Sequence, residues 1–584
     1  MKVCIVGGVA GGASAATRLR RMDEEAEIIL FERGEYISYA NCGLPYYIGG
    51  TIEDKEALVV TQPSRLRERF LVDVRTKSEV TAIDRDRKVI TVYDHAAQES
   101  YEESYDKLIL SPGAQPKRPQ LPGLDLEGVF TLRTVPDTFA ISQYVEDRQA
   151  KRAVVVGGGF IGVEMAENLK ERGLDVTIVE FAPQVVAPLD REMANILHRH
   201  LEENGVSLLL GTGLEAIEKA ENGLLVRTSG ERSLETDLVI LSIGVAPENG
   251  LAKDAGLKLS VGGSIWVNEY YQTSDEDIYA VGDAISVRNF VTGKEALVPL
   301  AGPANKQGRI AAENVIRKRE IKESGVLGSS VLKVFDMTAA TTGTNEKQLL
   351  KEGIPYFKAY VHPQSHASYY PGATPISIKM LFDGEGRVLG AQAVGYEGVE
   401  KRIDVLAAVI RLHGTVYDLE ELELCYAPPY SSAKDPVNML GFVAANQLRG
   451  DTKVFYAEAL LDGKLPVEKQ LVDVSTPEEV IMGTIEGSTN IPLDILRERL
   501  SELDKTRPIY VFCRVGLRGY IASRILTQHG FDVYNLSGGF KTYTLVKNNR
   551  LVYEGKKPSG MNKSDEKKTE EVKAATVKML EVEA

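Results

Sequence analysis

Cysteine is scarce: Cys4, Cys42, Cys425 and Cys513 are the four thiols of 584 residues. That is no disulfide framework, and the expected setting is a reducing cytosol. The seven histidines and four cysteines show no metal-ligand spacing, so no metal and no structural zinc are expected. No apolar run approaches a membrane span, and no signal peptide precedes the first strand, Val3-Cys4-Ile5-Val6. Positive charge is in deficit. A net charge of −14 argues against nucleic acid and anionic membrane as partners. A second thiol is missing where one would matter most. Cys42 stands in Ser38-Tyr39-Ala40-Asn41-Cys42-Gly43-Leu44-Pro45, and the position five residues on is Tyr47. A redox-active Cys42 therefore works alone, and its oxidised form is a mixed disulfide, a persulfide or a sulfenic acid.

What is present is ample. Hydrophobic residues make up 43% and charged residues 26% of the chain, which describes a globular protein of several domains. Val3-Cys4-Ile5-Val6 reads as a buried parallel strand, followed by Gly7-Gly8-Val9-Ala10-Gly11-Gly12 and a helix from Ala13 to Arg21. A second strand, Ile28-Ile29-Leu30-Phe31, ends at Glu32. This is a dinucleotide-binding unit: glycines admit a pyrophosphate to the helix N-terminus, and the acid binds a ribose. Val9 replaces the second glycine of the usual G-x-G-x-x-G pattern.

The unit recurs with all three glycines. Ala153-Val154-Val155-Val156 leads into Gly157-Gly158-Gly159-Phe160-Ile161-Gly162, then Val163-Glu164 and a helix, and Val176-Thr177-Ile178-Val179 ends at Glu180. An acid there selects the free 2′-hydroxyl of NADH, where an NADPH site tends to show a basic residue. Two such folds imply two dinucleotides, one held and one exchanged. The second interrupts the first. Leu108-Ile109-Leu110 closes into Ser111-Pro112-Gly113-Ala114 before the insertion, and Ile278-Tyr279-Ala280-Val281-Gly282-Asp283-Ala284 reads as a strand after it. Asp283 is placed to bind a ribityl hydroxyl of FAD.

A third region, about Gly325 to Gly450, contains a strand, Ser377 to Phe382, a helix around Asp404 to Leu412, and the run Cys425-Tyr426-Ala427-Pro428-Pro429-Tyr430-Ser431-Ser432-Ala433-Lys434-Asp435-Pro436. A fourth, about Gly463 to Gly555, alternates strands with helices. Its strands are Gln470 to Val474 and Pro508 to Phe512, and Gly487 to Leu493 reads as a turn into the next helix. The second strand delivers Cys513 into the loop Arg514-Val515-Gly516-Leu517-Arg518. That loop is one residue shorter than a cysteine-dependent phosphatase loop, which suits a sulfane sulfur better than a phosphate. Lys556 to Glu571 reads as a charged disordered linker. Val577 to Val582 resembles the opening strand of a small sulfur-carrier domain. Cys4 reads as strand core, and packing is the reading for Cys425.

The lone Cys42 in S-x-x-N-C, the Tyr-Ala-Pro-Pro-Tyr-Ser-Ser-Ala-Lys-Asp-Pro run and the Cys513 loop together resemble the pyridine nucleotide-disulfide oxidoreductases. Among them the sequence is similar to coenzyme A disulfide reductases with a C-terminal rhodanese domain, over about residues 1 to 550. The resemblance implies an α/β chain of two Rossmann-like dinucleotide-binding domains, for FAD and NADH, an α+β dimerisation domain and a C-terminal α/β rhodanese domain. The expected boundaries are 1–112 with 245–324 for FAD, 113–244 for NAD(P)H, 325–450 for dimerisation, 451–462 as linker, 463–555 for rhodanese and 556–584 as a charged tail. Gly7, Gly8, Val9, Ala10, Gly12, Glu32, Arg33, Asn41, Ser111, Pro112, Gly113 and Asp283 fall at FAD-contact positions. Gly157, Gly159, Ile161, Gly162, Glu180 and Gly244 fall at nicotinamide-nucleotide positions. Ser14, Arg18, Arg21, Ser38, Asn41 and Lys434 fall where the family binds coenzyme A, although Asn305-Lys306 stand where a relative has histidine. The resemblance further implies a head-to-tail homodimer whose third region sends a tyrosine into the partner's active site, and Tyr426 matches that position; the few cysteines make the expected location cytoplasmic.

The chemistry expected is hydride transfer from NADH (NADPH being an alternative) to the flavin, then electrons to the Cys42 sulfur. Cys42 is expected as a thiolate held by a helix N-terminus or by donors such as Asn41. Tyr426, with Tyr430, Tyr369 or Tyr370 as alternates, would protonate the leaving thiolate. Cys513 would accept sulfane sulfur, with Arg514 and Arg518 orienting an anionic donor, and a pantetheine arm would carry the sulfur to Cys42. Two other functions stand beside this reductase of coenzyme A persulfide, coenzyme A disulfide or polysulfide. One is an NADH oxidase or peroxidase cycling through a Cys42 sulfenic acid. The other is a sulfurtransferase with a regulatory flavoprotein part.

Overall fold

Apolar strands leading into glycine-opened helices build two parallel sheets in the first half of the chain, and a lysine-rich antiparallel sheet anchors the second half. The computed structural model describes residues 1–230, 232–318 and 321–551. Both the charged stretch 556–571 and the strand expected at 577–582 lie outside them. The chain divides into two units, Met1–Val185 with Gly205–Gly328, and Val186–Asn204 with the chain from Ser329 on.

In the first unit, one parallel sheet runs in the order Ile278–Ala280, Lys107–Leu110, Lys2–Val6, Glu27–Glu32, Asp73–Thr76. Continuous burial of Val3, Cys4 and Ile5 fits a strand covered on both faces. The helix Ala10–Met22 packs on Ala301–Arg317, and the contact is so close that a Cβ on Gly308 would strike the Gly11 carbonyl. The second parallel sheet runs Val206–Leu210, Asp175–Glu180, Arg152–Val156, Leu238–Leu241, Val129–Phe130. Each parallel sheet is accompanied by a three-stranded antiparallel one, Ser78–Asp84 with Val89–Asp94 and Glu99–Ser104, and Leu214–Ala220 with Gly223–Thr228 and Arg232–Thr236.

The second unit holds an antiparallel sheet ordered Ser330–Val334, Met337–Gly343, Val388–Gly395, Ser377–Phe382, Phe357–Val361. Its other sheet is parallel, in the order Lys453–Phe455, Val533–Leu536, Ile509–Phe512, Gln470–Asp473, Thr489–Asn490. Hydrogen bonds join them. The Tyr456 hydroxyl donates to the Lys358 carbonyl at 3.0 Å, and the His362 Nε2 and Thr542 hydroxyl are 2.9 Å apart.

One sequence expectation is corrected and two are refined. Residues 451–462 are not a linker: Lys453–Phe455 is the edge strand of the C-terminal sheet and Ala457–Leu461 is a helix, because Phe455 is buried against Tyr510, ring centroids 5.0 Å apart. Residues 186–204, within the stretch read as the second nucleotide domain, group by their contacts with the second unit. The cause is charge: Asp190 and Glu192 are buried against Lys379 of the antiparallel sheet. Finally, the stretch around Gly487 to Leu493 holds a short strand, Thr489–Asn490, and leads into the 3-10 helix Leu493–Glu498.

The Lys379 ammonium, with no exposed surface, stands 2.8 Å from Asp190, 2.5 Å from Glu192 and 2.5 Å from Glu346. Oxygen atoms of these three acids lie within 4.8 Å of one another, so the lysine takes the place a cation would fill. Lys358 pairs with Glu346 at 3.0 Å and with Glu458 at 2.7 Å, while Tyr360 donates to Glu192. Among the described residues no helix is long and apolar enough to cross a membrane.

Candidate active site

The two nucleotide loops share their turn and their helix seat. Gly7 at φ 97° and Gly157 at φ 107° adopt a left-handed turn that a side chain would strain. A Cβ on Gly12 would strike the Gly7 carbonyl, and one on Gly162 the Gly157 carbonyl, so the third glycine lets each helix seat on its strand. The second positions differ. Around Gly159 a Cβ would meet nothing within 4 Å, whereas Val9 occupies the first loop at φ −98°. Ala10 and Ile161 each lie in the opening turn of the following helix. Glu32 accepts from the Gly8 N–H at 2.9 Å and Glu180 from the Gly158 N–H at 2.5 Å, which places each acid at the loop where a ribose would lie. The donor set fits a dinucleotide at each loop.

Around the first loop, the Ser111 N–H donates to the Val6 carbonyl and the Pro112 carbonyl accepts from Arg133. Gly113 is left-handed at φ 78°, as is Gly244 at φ 98°, where a Cβ would meet open space. Asp283 lies in the 3-10 turn Gly282–Ala284 rather than on a strand, and burial raises its carboxyl pKa. Arg33 forms a two-bonded pair with Glu248, at 2.6 and 3.0 Å, so its guanidinium is already committed.

Cys42 lies in the 3-10 turn Asn41–Gly43, ahead of the short helix Leu44–Ile48, and is exposed. The segment is tied to the first loop by the Ser38 N–H, which donates to the Gly8 carbonyl at 2.8 Å with Ser38 left-handed at φ 45°. The expected stabilisation of the thiolate is corrected. Among the described residues neither Asn41 nor a helix N-terminus donates to the sulfur, and desolvation, then the carboxylates of Glu164 and Asp283, raise the thiol pKa. Glu164 is the residue the sequence reading missed. It shares a face of the helix Phe160–Glu171 with buried Glu167, and burial, then Glu167, raise its carboxyl to about 7. Its signal was only its place after the second glycine loop. Glu164→Gln is expected to speed alkylation of reduced Cys42 by roughly threefold above pH ~7, where the native carboxylate repels the thiolate. Below that pH both proteins carry a neutral group and the rates converge. Peptide mass spectrometry across a pH series measures it, and equal rates throughout would remove Glu164 as a source of the repulsion.

The coenzyme A candidates are not all alike. Ser14 donates to Asn305 at 2.5 Å. Arg18 gives its Nε to buried Glu313 at 2.9 Å and a terminal nitrogen at 2.6 Å, so it is held in an ion pair between helices. Arg21 and Asn41 are exposed.

In the second unit, the Tyr369 and Tyr426 hydroxyls are 2.6 Å apart, both side chains being exposed, and this hydrogen bond raises the Tyr369 pKa. Tyr370 packs edge-on to His366, and Tyr430 and Lys434 are exposed. Cys425 is exposed rather than packed, a correction: with Tyr426, Tyr430, His366 and Arg402 it lines a cavity of about 480 Å³. Packing failed to claim it because the run around it forms turns rather than a regular element. Cys4 is buried strand core, its thiol pushed up to about 12 by burial.

Cys513 ends the strand Ile509–Phe512 and is buried. Its sulfur accepts from the Gly516 N–H at 3.2 Å and the Gly519 N–H at 3.4 Å, at the start of the helix Leu517–Gln528. Such amides stabilise a thiolate. Gly516 at φ 103° turns the loop back toward the sulfur. Arg518 makes two bonds to Glu479, at 2.6 and 2.7 Å.

Comparison with known proteins accords with this geometry. Residues 1–308 match the model of the pyridine nucleotide-disulphide oxidoreductases, 329–436 that of their dimerisation domain, and 456–545 that of the rhodanese-like domain. A coenzyme A disulfide reductase of Staphylococcus aureus is 37% identical over 444 residues, 76% of this chain and 99% of its own length. The crystal structure of reduced Bacillus anthracis CoADR-RHD is 51% identical with a TM-score of 0.92, covering 94% of this chain and 98% of that one. An NAD-dependent persulfide reductase from A. fulgidus is 38% identical with a TM-score of 0.86, covering 93% of this chain and 100% of its own. The chain belongs to the pyridine nucleotide-disulphide oxidoreductases and carries, besides their dimerisation domain, a C-terminal rhodanese domain.

Proposed function

We propose that the protein is an FAD-dependent, NADH-driven reductase that cleaves the sulfur–sulfur bond of coenzyme A persulfide, coenzyme A disulfide or polysulfide at Cys42, with the Cys513 domain handling sulfane sulfur. The observation that carries this reading is an exposed, unpaired Cys42 tied to a dinucleotide loop, in one chain with a Cys513 cradled by backbone amides. The names of the two similar reductases, for coenzyme A disulfide and for persulfide, point the same way.

Gly7, Gly8, Val9, Ala10, Gly12, Glu32, Ser111, Pro112, Gly113 and Asp283 would hold FAD, and Gly157, Gly159, Ile161, Gly162, Glu180 and Gly244 would hold NADH. When bound, FAD takes reducing equivalents from NADH and delivers them to sulfur. The Cys42 thiolate attacks the sulfur of the substrate, a new bond forms on Cys42, the substrate sulfur–sulfur bond breaks, and a thiolate leaves. Tyr426, paired with Tyr369, supplies a proton to that leaving group in a homodimer. Arg21, exposed on the first helix, and Lys434 are free to meet the phosphates of coenzyme A.

Stopped-flow mixing tests the reading. NADH-reduced protein is mixed anaerobically with coenzyme A persulfide, coenzyme A disulfide, polysulfide or hydrogen peroxide while flavin reoxidation is followed. A sulfur oxidant should reoxidise it rapidly with release of sulfide or coenzyme A, and NADPH should reduce it more slowly than NADH because Glu180 stands where a 2′-phosphate would lie. Reoxidation by peroxide alone would put the oxidase or peroxidase in its place.

A further inference from the structure

The rhodanese loop has two arginines, of which one is turned away from the sulfur and the other is already paired with a carboxylate. Arg518 lies beside the Cys513 sulfur but gives both terminal nitrogens to Glu479, at 2.6 and 2.7 Å. Glu479 is fixed from the other side too. It is the third residue of the helix Pro477–Ile481 and closes a capping box with Thr476, whose N–H it accepts at 2.9 Å. The guanidinium in turn holds the Glu479 carboxyl down at about 2, so it stays ionised at any neutral pH. Arg514 is turned away, donating to the Gly483 carbonyl at 2.8 Å and lying 4.6 Å over the Phe540 ring. Lys541, whose N–H bonds the Arg514 carbonyl, is desolvated, which lowers its ammonium pKa. Apolar side chains surround this neutralised mouth. Val515 and Leu517 of the loop are exposed, as are Ile481 and Met482 next to the Gly483 carbonyl that Arg514 grips.

We propose that Glu479 sets the donor class of the Cys513 site, excluding the thiosulfate dianion and admitting persulfides R–S–SH on an uncharged, partly apolar arm. This rests on the reading that Cys513 handles sulfane sulfur. The Cys513 thiolate attacks the outer sulfur of R–S–SH, the donor S–S bond breaks, R–S⁻ leaves, and Cys513–S–SH keeps the proton. Charge and electrons balance with no further oxidant. The loop amides of Gly516 and Gly519 then hold the persulfide once it loses its proton. A thiosulfate dianion would have to release sulfite against the Glu479 carboxylate, because the guanidinium beside the sulfur is already paired with that carboxylate. Specificity here comes from a repulsive element rather than from an added attraction.

The test uses the full-length holoenzyme, with sulfur on Cys513 quantified by peptide mass spectrometry after timed exposure to thiosulfate or to pantetheine persulfide. The native protein should load from the persulfide at least about tenfold faster than from thiosulfate. Glu479→Gln, which keeps the capping amide, should raise thiosulfate loading about tenfold while persulfide loading changes by less than about threefold. Retained persulfide loading also shows that the variant is folded. Adding Arg518→Ala to Glu479→Gln should abolish the gain, because the released guanidinium is what recruits the dianion. Equal native loading from both donors, or an unchanged donor ratio in Glu479→Gln, would overturn the role of Glu479 while leaving sulfur handling at Cys513 intact. A Cys513 loaded by neither donor would overturn both.

Discussion

Cys42→Ser is expected to leave reduction of the flavin by NADH unchanged and to slow its reoxidation by coenzyme A disulfide or persulfide by at least about 10³-fold. The size of the effect follows from what is missing around Cys42. A two-thiol centre that loses one sulfur keeps a partner that can still attack, but here the position where a partner would stand is Tyr47, packed edge-on to Phe139 with ring centroids 5.5 Å apart. The other cysteine of the same unit, Cys4, is sealed in a strand with its thiol at about 12. A serine hydroxyl is far less acidic and less nucleophilic than a thiol, so it does not attack sulfur at neutral pH. Stopped-flow absorbance separates the two half-reactions. Loss of the first would indicate a damaged flavin site. Retention of the second would show that the sulfur–sulfur bond is cleaved elsewhere, and the sulfurtransferase reading, with Cys513 dominant, would gain.

Patterns of period and spacing made most of this architecture readable. Val3 to Val6, Ile28 to Phe31 and Ala153 to Val156 lie inside strands one or two residues longer, and the expected strand Ser377 to Phe382 is observed at those bounds. Parallel strands buried on both faces are apolar runs, so their signal is local. The antiparallel sheet hides a different kind of information. Nothing local to Lys379 and Lys358 marks them as buried: their partners Asp190, Glu192 and Glu346 lie 12 to 189 residues away in sequence. The same holds at the sites. Cys42 and Cys513 stand out in sequence because each is a rare residue in a glycine-bearing run. Glu164 and Glu479 do not, since their effect depends on the group they face. Thr476-Pro477-Glu478-Glu479 signals a helix start, but nothing in it says that Glu479 reaches Arg518.

Lys379→Met should lower the stability of the second unit by about 3–5 kcal/mol, the cost of leaving buried charge without its partner. Methionine matches the lysine stem in length, so the packing of the sheet survives and the loss isolates the charge. Removing the ammonium leaves three carboxylates facing one another within 4.8 Å, with Lys358 and the Tyr356 and Tyr360 hydroxyls reaching only two of them. The pH dependence distinguishes this cause from a packing defect. In the native protein the cluster holds Glu192 and Glu346 below the ordinary carboxylate range. Its contribution is therefore fully present above pH ~4 and is lost as pH falls through those depressed values. In the variant, burial and mutual repulsion act without the ammonium and raise the same acids, so the folded state binds protons more readily than the unfolded one and gains stability as pH falls toward about 5. Urea midpoints should thus differ most near pH ~8 and approach each other near pH ~5. A deficit independent of pH would assign the loss to packing, and an unchanged midpoint at pH ~8 would show that the lysine does not hold residues 186–204 to the antiparallel sheet. The helix Arg191–Glu203 is fastened to the sheet by this cluster and by the Asp190 N–H to the Gln392 side chain at 2.7 Å. Hydrogen exchange in Arg191–Glu203 should therefore quicken in the variant before the C-terminal sheet is affected.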